Sequence, residues 1–258
     1  MIQQPAPSGP TSSAVCDDAQ FHREAARRLC RPGARLAVDF GCGAGDMAVA
    51  LADTATEPVT VVGVDDRPDR FAATARKRPD LRFVAASFTD PVERLLDTID
   101  GPADLVWTRN AVHHAPDPTA AVARLGRLLV PGGVLALAEG GVTLLAPDQD
   151  TAGLLARLPV VDPVDEESVA LRGLLTEAGL TGVHTDTVRY AHRWPADPAD
   201  LDHLVTQYRS RVDRAHDDLS EPDRARWQRL LAPDGPASLY GRGDLSYQVA
   251  ATIHIGYR

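Results

Sequence analysis

Lysine is almost missing from this chain. Of 27 basic residues only Lys77 is a lysine, and 36 acids give a formal net charge of −9, with a pI near 5.3. That balance argues against unaided nucleic-acid binding, because phosphate contacts need a basic footprint. The arginine bias fits a GC-rich genome and carries no functional reading. Cysteine is scarce too: Cys16, Cys30 and Cys42 are odd in number and lack metal-site or disulfide-framework spacing, so no metal is expected. No apolar run reaches the roughly 18 residues of a membrane-spanning helix. Residues 1–14 are rich in Pro, Ser, Gly and Gln and lack the charged and apolar regions of a signal peptide. The expectation is a cytoplasmic, non-membrane protein with a disordered tail over residues 1–16 and one domain over 17–258. A hydrophobic fraction of 44% in 258 residues is enough to bury a substantial core.

What the chain does have is glycine in one concentrated place. Val38-Asp39-Phe40-Gly41-Cys42-Gly43-Ala44-Gly45 reads as a strand end running into a tight turn, and residues 46–54 follow as good helix material. Gly41, Gly43 and Gly45 permit such a turn with no Cβ in the way of a ligand. A strand, a glycine turn and a helix N-terminus put backbone N–H groups against a bound molecule. The dinucleotide fingerprint G-x-G-x-x-G fails here, since Asp46 stands where its third glycine belongs. A second apolar run, residues 59–64, ends in Asp65-Asp66, where one carboxylate can accept from both hydroxyls of a ribose.

Further segments continue the pattern. Residues 104–108 and 133–139 are continuous apolar runs, as central strands buried on both faces should be. A helix over 119–129 and a Pro131-Gly132-Gly133 turn lie between them. Helices are also expected over 17–31, 67–77 and 167–177, and strands over 35–40, 59–64, 81–86, 183–190 and 247–255. Residues 196–236 form a helical insertion, with Leu201, Leu204, Val205, Tyr208, Val212 and Leu219 at helical spacing and a second helix over 221–231 carrying Trp227. It reads as a lid or substrate wall, or else as an edge-capping helical pair or dimer surface.

The glycine motif, the acid ending the second strand, the 103–114 segment and the 125–137 segment, in this order over roughly residues 20–140, resemble the class I S-adenosylmethionine-dependent methyltransferases. The resemblance implies an α/β fold: a doubly wound (Rossmann-like), mostly parallel seven-stranded sheet with an antiparallel last strand and the helical insertion between strands six and seven. It also implies S-adenosyl-L-methionine as cofactor, with S-adenosyl-L-homocysteine as product. Cofactor contacts would fall on Asp39, Gly41, Cys42, Gly43, Gly45, Asp65, Asp66, Ser87, Phe88, Thr108 and Arg109. The family usually carries an Asp after strand three to bond the adenine amino group, whereas this chain has Ser87, with Asp90 as fallback. Cys42 reads as a packing residue rather than a nucleophile. In the family a helix ahead of strand one often closes over the cofactor, which brings Phe21, His22 and Arg23 into consideration.

The donor methyl is activated by its sulfonium, so the protein must align a nucleophile and exclude water. A base helps only where the acceptor carries a proton of high pKa. His114, or its neighbour His113, is the candidate base in the loop after strand four, and a role in folding that loop is an equal alternative. Arg242 could reach an acceptor or pair with Asp244. The expected acceptor is a small molecule of bacterial secondary metabolism, methylated at O, N or C, and a homodimer stays open. Two alternatives remain: a protein of this fold that binds the cofactor without methyl transfer, as a cyclase or partner subunit, and an NAD-dependent oxidoreductase. The second lacks the third glycine and any lysine near a catalytic position.

Overall fold

Leu36 to Phe40 alternate between two faces yet are buried at every position, because helices cover both sides of a parallel sheet. That strand, β1 (Leu36–Phe40), sits near the middle of the sheet in a computed structural model that describes residues 18–158, 163–193 and 198–258. The tail expected over residues 1–16 lies outside the described residues. In chain order the elements are α1 (Asp18–Leu29), β1, α2 (Asp46–Thr54), β2 (Thr60–Asp65), α3 (Pro68–Lys77), β3 (Arg82–Ala85), α4 (Val92–Ile99), β4 (Ala103–Arg109) and α5 (Pro118–Arg127). Then come β5 (Leu129–Leu145), α6 (Gln149–Arg157), α7 (Pro163–Glu177), β6 (Thr181–Arg193), α8 (Pro198–Arg214), α9 (Glu221–Leu230) and β7 (Ser246–Tyr257).

The sheet has seven strands in the order β3-β2-β1-β4-β5-β7-β6. β7 runs antiparallel to both β5 and β6, and the other pairings are parallel. This is the expected doubly wound architecture, with its order reversing between β1 and β4, where such sheets open a crevice at the carboxyl ends of the strands. Phe40, Val106 and Leu135 pack with α4, α5 and α7 on one face. Trp107, Phe21 and Met47 pack with α1 and α2 on the other.

α7 begins four residues earlier than expected and β6 runs longer at both ends. Two further differences, both in β5, have clear physical reasons. Leu129 already pairs with Ala103, and the register then jumps to Leu105 opposite Val134. Pro131-Gly132-Gly133 is therefore a bulge inside β5 rather than a turn before it. A Cβ on Gly133 would stand 2.9 Å from the Val130 carbonyl oxygen, so only glycine fits that close approach. β5 also runs past Glu139 to Leu145, because β7 pairs with it along the whole stretch from Val134 to Leu145. Sequence periodicity assigned neither α4 nor α6, which are only 8 and 9 residues long.

The extension of β5 and β7 carries the insertion. Leu204, Val205, Tyr208, Trp227, Leu230 and Leu231 form a third core with Leu144 and Tyr247 of the strands. The Leu144 amide donates to the Tyr208 hydroxyl at 2.6 Å, and the Tyr208 and Trp227 rings stack at 5.7 Å. Arg157 of α6 donates from two nitrogens to the Asp223 carboxylate of α9 at 2.9 and 3.0 Å, a fork geometry that fixes both partners. Arg242 is not turned to a substrate: it bonds Asp244, Asp148 and Thr151 and pins the start of α6 to the chain entering β7.

One buried group links the sheet to pH. His254 of β7 is fully buried opposite Leu137, with Nδ1 3.0 Å from the Thr185 hydroxyl. Burial, aided by Arg172, pushes its pKa down to about 4 from the ordinary 6.5. Between those values the unfolded chain binds a proton that the folded chain refuses, so stability rises with pH through that window. Lowering the pH from 6.5 to 4 should destabilise the wild type more steeply than His254→Leu, by up to about 1.4 kcal/mol per pH unit. Chemical denaturation at a series of pH values reads this directly, and parallel slopes would contradict it.

Candidate functional site

The crevice between β1 and β4 holds a cavity of about 210 Å³ lined by His22, Asp39, Gly41, Cys42, Gly43, Asp46, Met47, Arg70, Trp107, Arg109 and Asn110. Its floor is the glycine turn, and the three glycines do different work. All three have positive φ: +75° at Gly41, +52° at Gly43 and +87° at Gly45. A Cβ on Gly41 would stand 2.6 Å from the Ala111 Cβ, and one on Gly45 would stand 2.6 Å from the Phe83 ring. Those two glycines make room for the protein itself. Of the three, only Gly43 faces open space, with nothing within 4 Å of its would-be Cβ.

Two carboxylates shape the turn. The Ala48 amide, in the first turn of α2, donates to Asp39 Oδ2 at 3.0 Å. The helix has no side-chain cap of its own, since its N-cap residue is Gly45, and Asp39 supplies the missing acceptor from β1. Asp65, 4% exposed, accepts from the Gly43 amide through Oδ2 and from the Arg67 amide through Oδ1, both at 2.9 Å. Each Asp65 oxygen retains a lone pair beyond these bonds. Asp66, one residue on, is exposed.

Burial is the main cause that pushes the Asp39 carboxyl up to about 7; the Ala48 amide opposes it, and Asp46 and Asp65 reinforce it. Burial likewise raises the Cys42 thiol, again helped by Asp39 and Asp65. Cys42 therefore stays protonated and, 9% exposed, serves as packing. The opposite charge comes from elsewhere. Arg109, closing β4, places Nη1 3.1 Å from His22 Nε2 of α1 and its guanidinium carbon 4.5 Å from the centre of the Phe21 ring. Phe21 and His22 thus do belong to this region, while Arg23 is exposed.

The remaining expected residues sit around the turn but do not line this cavity. Phe88 lies 4.8 Å from Phe40, ring to ring, and 3.6 Å from the position a Gly41 Cβ would take. The Ser87 amide donates to Asp90 at 2.9 Å and its hydroxyl lies 3.1 Å from that of Thr89, so Ser87 and Asp90 close one small turn together. Thr108 is 1% exposed, and its hydroxyl lies 3.7 Å from the same Gly41 position. His113 and His114 occupy a single 3-10 turn (Val112–His114), are both exposed, and have ring centres 4.0 Å apart. Asp46, Arg70 and Trp107 were missed by sequence reasoning. Trp107 could have been found from the period of two that places it beside Asp39; Arg70 gives no signal beyond lying in the first turn after the paired acids. Among the described residues no cluster of His, Cys, Asp or Glu could hold a metal ion, and no helix is long and apolar enough to cross a membrane.

A doubly wound sheet with a glycine turn at its switch point and an acid ending the second strand is an arrangement in which such folds hold nucleotide-type cofactors. The comparisons narrow this. A family profile described as a methyltransferase domain matches residues 38–135. The chain is similar to 27-O-demethylrifamycin SV methyltransferase of Amycolatopsis mediterranei, at 34% identity over 58% of this chain and 55% of that one. It is also similar to trans-aconitate 2-methyltransferase of Methylobacterium radiotolerans, at 29% identity over 81% of this chain and 89% of that one. The fold matches the crystal structure of the YcgJ protein of Bacillus subtilis with a TM-score of 0.51 and 16% identity, covering 93% and 97% of the two chains. The matched stretch spans about half the length of the first curated relatives. Over residues 38–135 the chain thus resembles a methyltransferase domain, and the curated relatives named here are methyltransferases.

The two roles of glycine are separable by mutation. Gly45→Ala incurs about 1–2 kcal/mol of left-handed strain plus about 1–3 kcal/mol of overpacking against Phe83. Gly43→Ala incurs only the strain. Thermal denaturation should show the larger loss at Gly45, and adding Phe83→Leu should recover part of it but none of the loss at Gly43.

Proposed function

We propose that this protein transfers a methyl group from S-adenosylmethionine to a small-molecule acceptor. The observation that carries the reading is the turn at Gly43, which opens toward the crevice between two backbone-bonded carboxylates, Asp39 and Asp65. The residues present fit the cofactor. The second lone pairs of Asp65 suit two ribose hydroxyls, and the space over Gly43 suits a close backbone approach. A wall bearing Asp39 and Asp46 together with Arg70, Arg109 and His22 suits a head group that carries both an ammonium and a carboxylate. The family resemblance would set the base against Phe88 and Ser87.

When bound, S-adenosylmethionine supplies a methyl group already activated by positive sulfur. The chain's own task is alignment and exclusion of water. α1 covers the crevice through His22 and Phe21, and the insertion built on β5 and β7 serves as the acceptor wall or lid. His114, with His113 against it, is the candidate to take a proton from an acceptor hydroxyl. An acidic chain, −9 in net charge, favours a small acceptor over nucleic acid. The names of the relatives include oxygen and nitrogen acceptors, and with them a rifamycin. An oxygen-bearing secondary metabolite in the bacterial cytoplasm is the reading we adopt, with a single domain over residues 17–258.

Calorimetric titration tests the first half of this. S-adenosylhomocysteine should bind at micromolar concentration and NAD should not; no binding of the former would sink the proposal. Asp65→Asn keeps the volume but removes the charge facing the ribose, and should weaken binding by about 1.5–3 kcal/mol. A labelled methyl donor tests the second half. His114→Ala should lower turnover while leaving cofactor affinity near wild type, and full activity would return His114 to a structural role. A label that never leaves the cofactor, with any acceptor, would favour a binding protein of the same fold.

A further inference from the structure

Asp39 is an acid in an unusual position. Its side chain lines the crevice yet the residue is 3% exposed, and the Ala48 amide at 3.0 Å is its backbone donor. The charged groups around it come from every neighbouring element. Asp46 stands at the start of α2 and Asp65 at the end of β2, and both oppose a negative charge on Asp39. Arg70 of α3 is exposed on the crevice wall. The Arg109 guanidinium of β4 is turned to His22 and the Phe21 ring of α1. On its own strand and turn the neighbours are apolar or neutral, Phe40 and Cys42, and Trp107 of β4 stands in register beside it. A buried carboxylate with acids on two sides favours its neutral form unless a cation stands against it.

We propose that Asp39 is a carboxylic acid in the ligand-free protein and loses its proton to solvent when a cationic donor enters the crevice, so that the site separates sulfonium donor from neutral thioether product by charge. This rests on the methyltransferase reading. The donor carries a sulfonium and an ammonium against one carboxylate, whereas the spent product carries only the ammonium and the carboxylate. Ionised Asp39 therefore gains more from the donor than from the product. Methyl transfer removes the sulfonium charge, Asp39 takes a proton back from solvent, and the product's hold on the crevice weakens. Asp39 is a charge-reading group here, separate from the base that serves the acceptor.

The raised carboxyl, near 7, sets the window for the test. Titrating wild type with S-adenosylmethionine in buffers of different ionisation enthalpy should show proton release at pH 6.5 that shrinks markedly by pH 8. Affinity should weaken toward a tenfold loss per pH unit below pH 6. S-adenosylhomocysteine should release less at the same pH. Asp39→Asn should bind with no proton release and flat affinity from pH 6 to 8, while His22→Gln keeps the release. If Asp39→Asn does not fold, infrared difference spectra of wild type at pH 6.5 should lose the carbonyl stretch of a protonated carboxyl on adding the donor. Binding without proton release in wild type, or release that survives in Asp39→Asn, overturns the inference and leaves the methyltransferase reading intact. Failure of wild type to bind either molecule overturns both.

Discussion

The bond from the Ala48 amide to Asp39 is the constraint on which the site's geometry depends. It ties the end of β1 to the first turn of α2 and so fixes how tightly the intervening chain must fold. Six residues, Phe40 to Gly45, have to reverse direction within that span, and positive φ at Gly41, Gly43 and Gly45 is how they do it. The second carboxylate, Asp65, then holds the middle of the turn through Gly43 and the start of the next connection through Arg67. Both acids serve as structural caps first. Asp39 also lines the crevice cavity, so one of the two acids that shape the turn faces that space as well.

The side chains behind the turn explain its glycines better than a ligand does. Phe83, stacked on Phe71 at 5.3 Å, fills the volume that side chains on Gly45 and Gly63 would otherwise occupy. Ala111, from the loop after β4, does the same for Gly41. The turn is thus packed against the protein on two sides and open on one. That asymmetry gives the crevice a closely packed floor.

Much of this was legible in the sequence. The strand–turn–helix unit at residues 36–54, the acid ending β2 and the apolar runs of β4 announce themselves through short-range patterns of period two and through glycine. Helix α2 begins and ends where the pattern says, at Asp46 and Thr54. What escaped depends on distant pairing. β5 outruns its expected end at Glu139 because β7, more than a hundred residues later, supplies the hydrogen-bond partner, and no local signal carries that information. The contact of His22 with Arg109 spans 87 positions and is likewise invisible to periodicity. The individual duties of the three glycines were hidden for the same reason, since Phe83 approaches from β3 and Ala111 from the loop after β4.

The helices α8 and α9 rest on a core of their own, gathered around Tyr208, Trp227 and the far ends of β5 and β7, apart from the two clusters that flank the sheet. Substitutions that reshape one end need not repack the other. A lineage inheriting this arrangement can reshape the outer end of the ribbon while the glycine turn stays as it is.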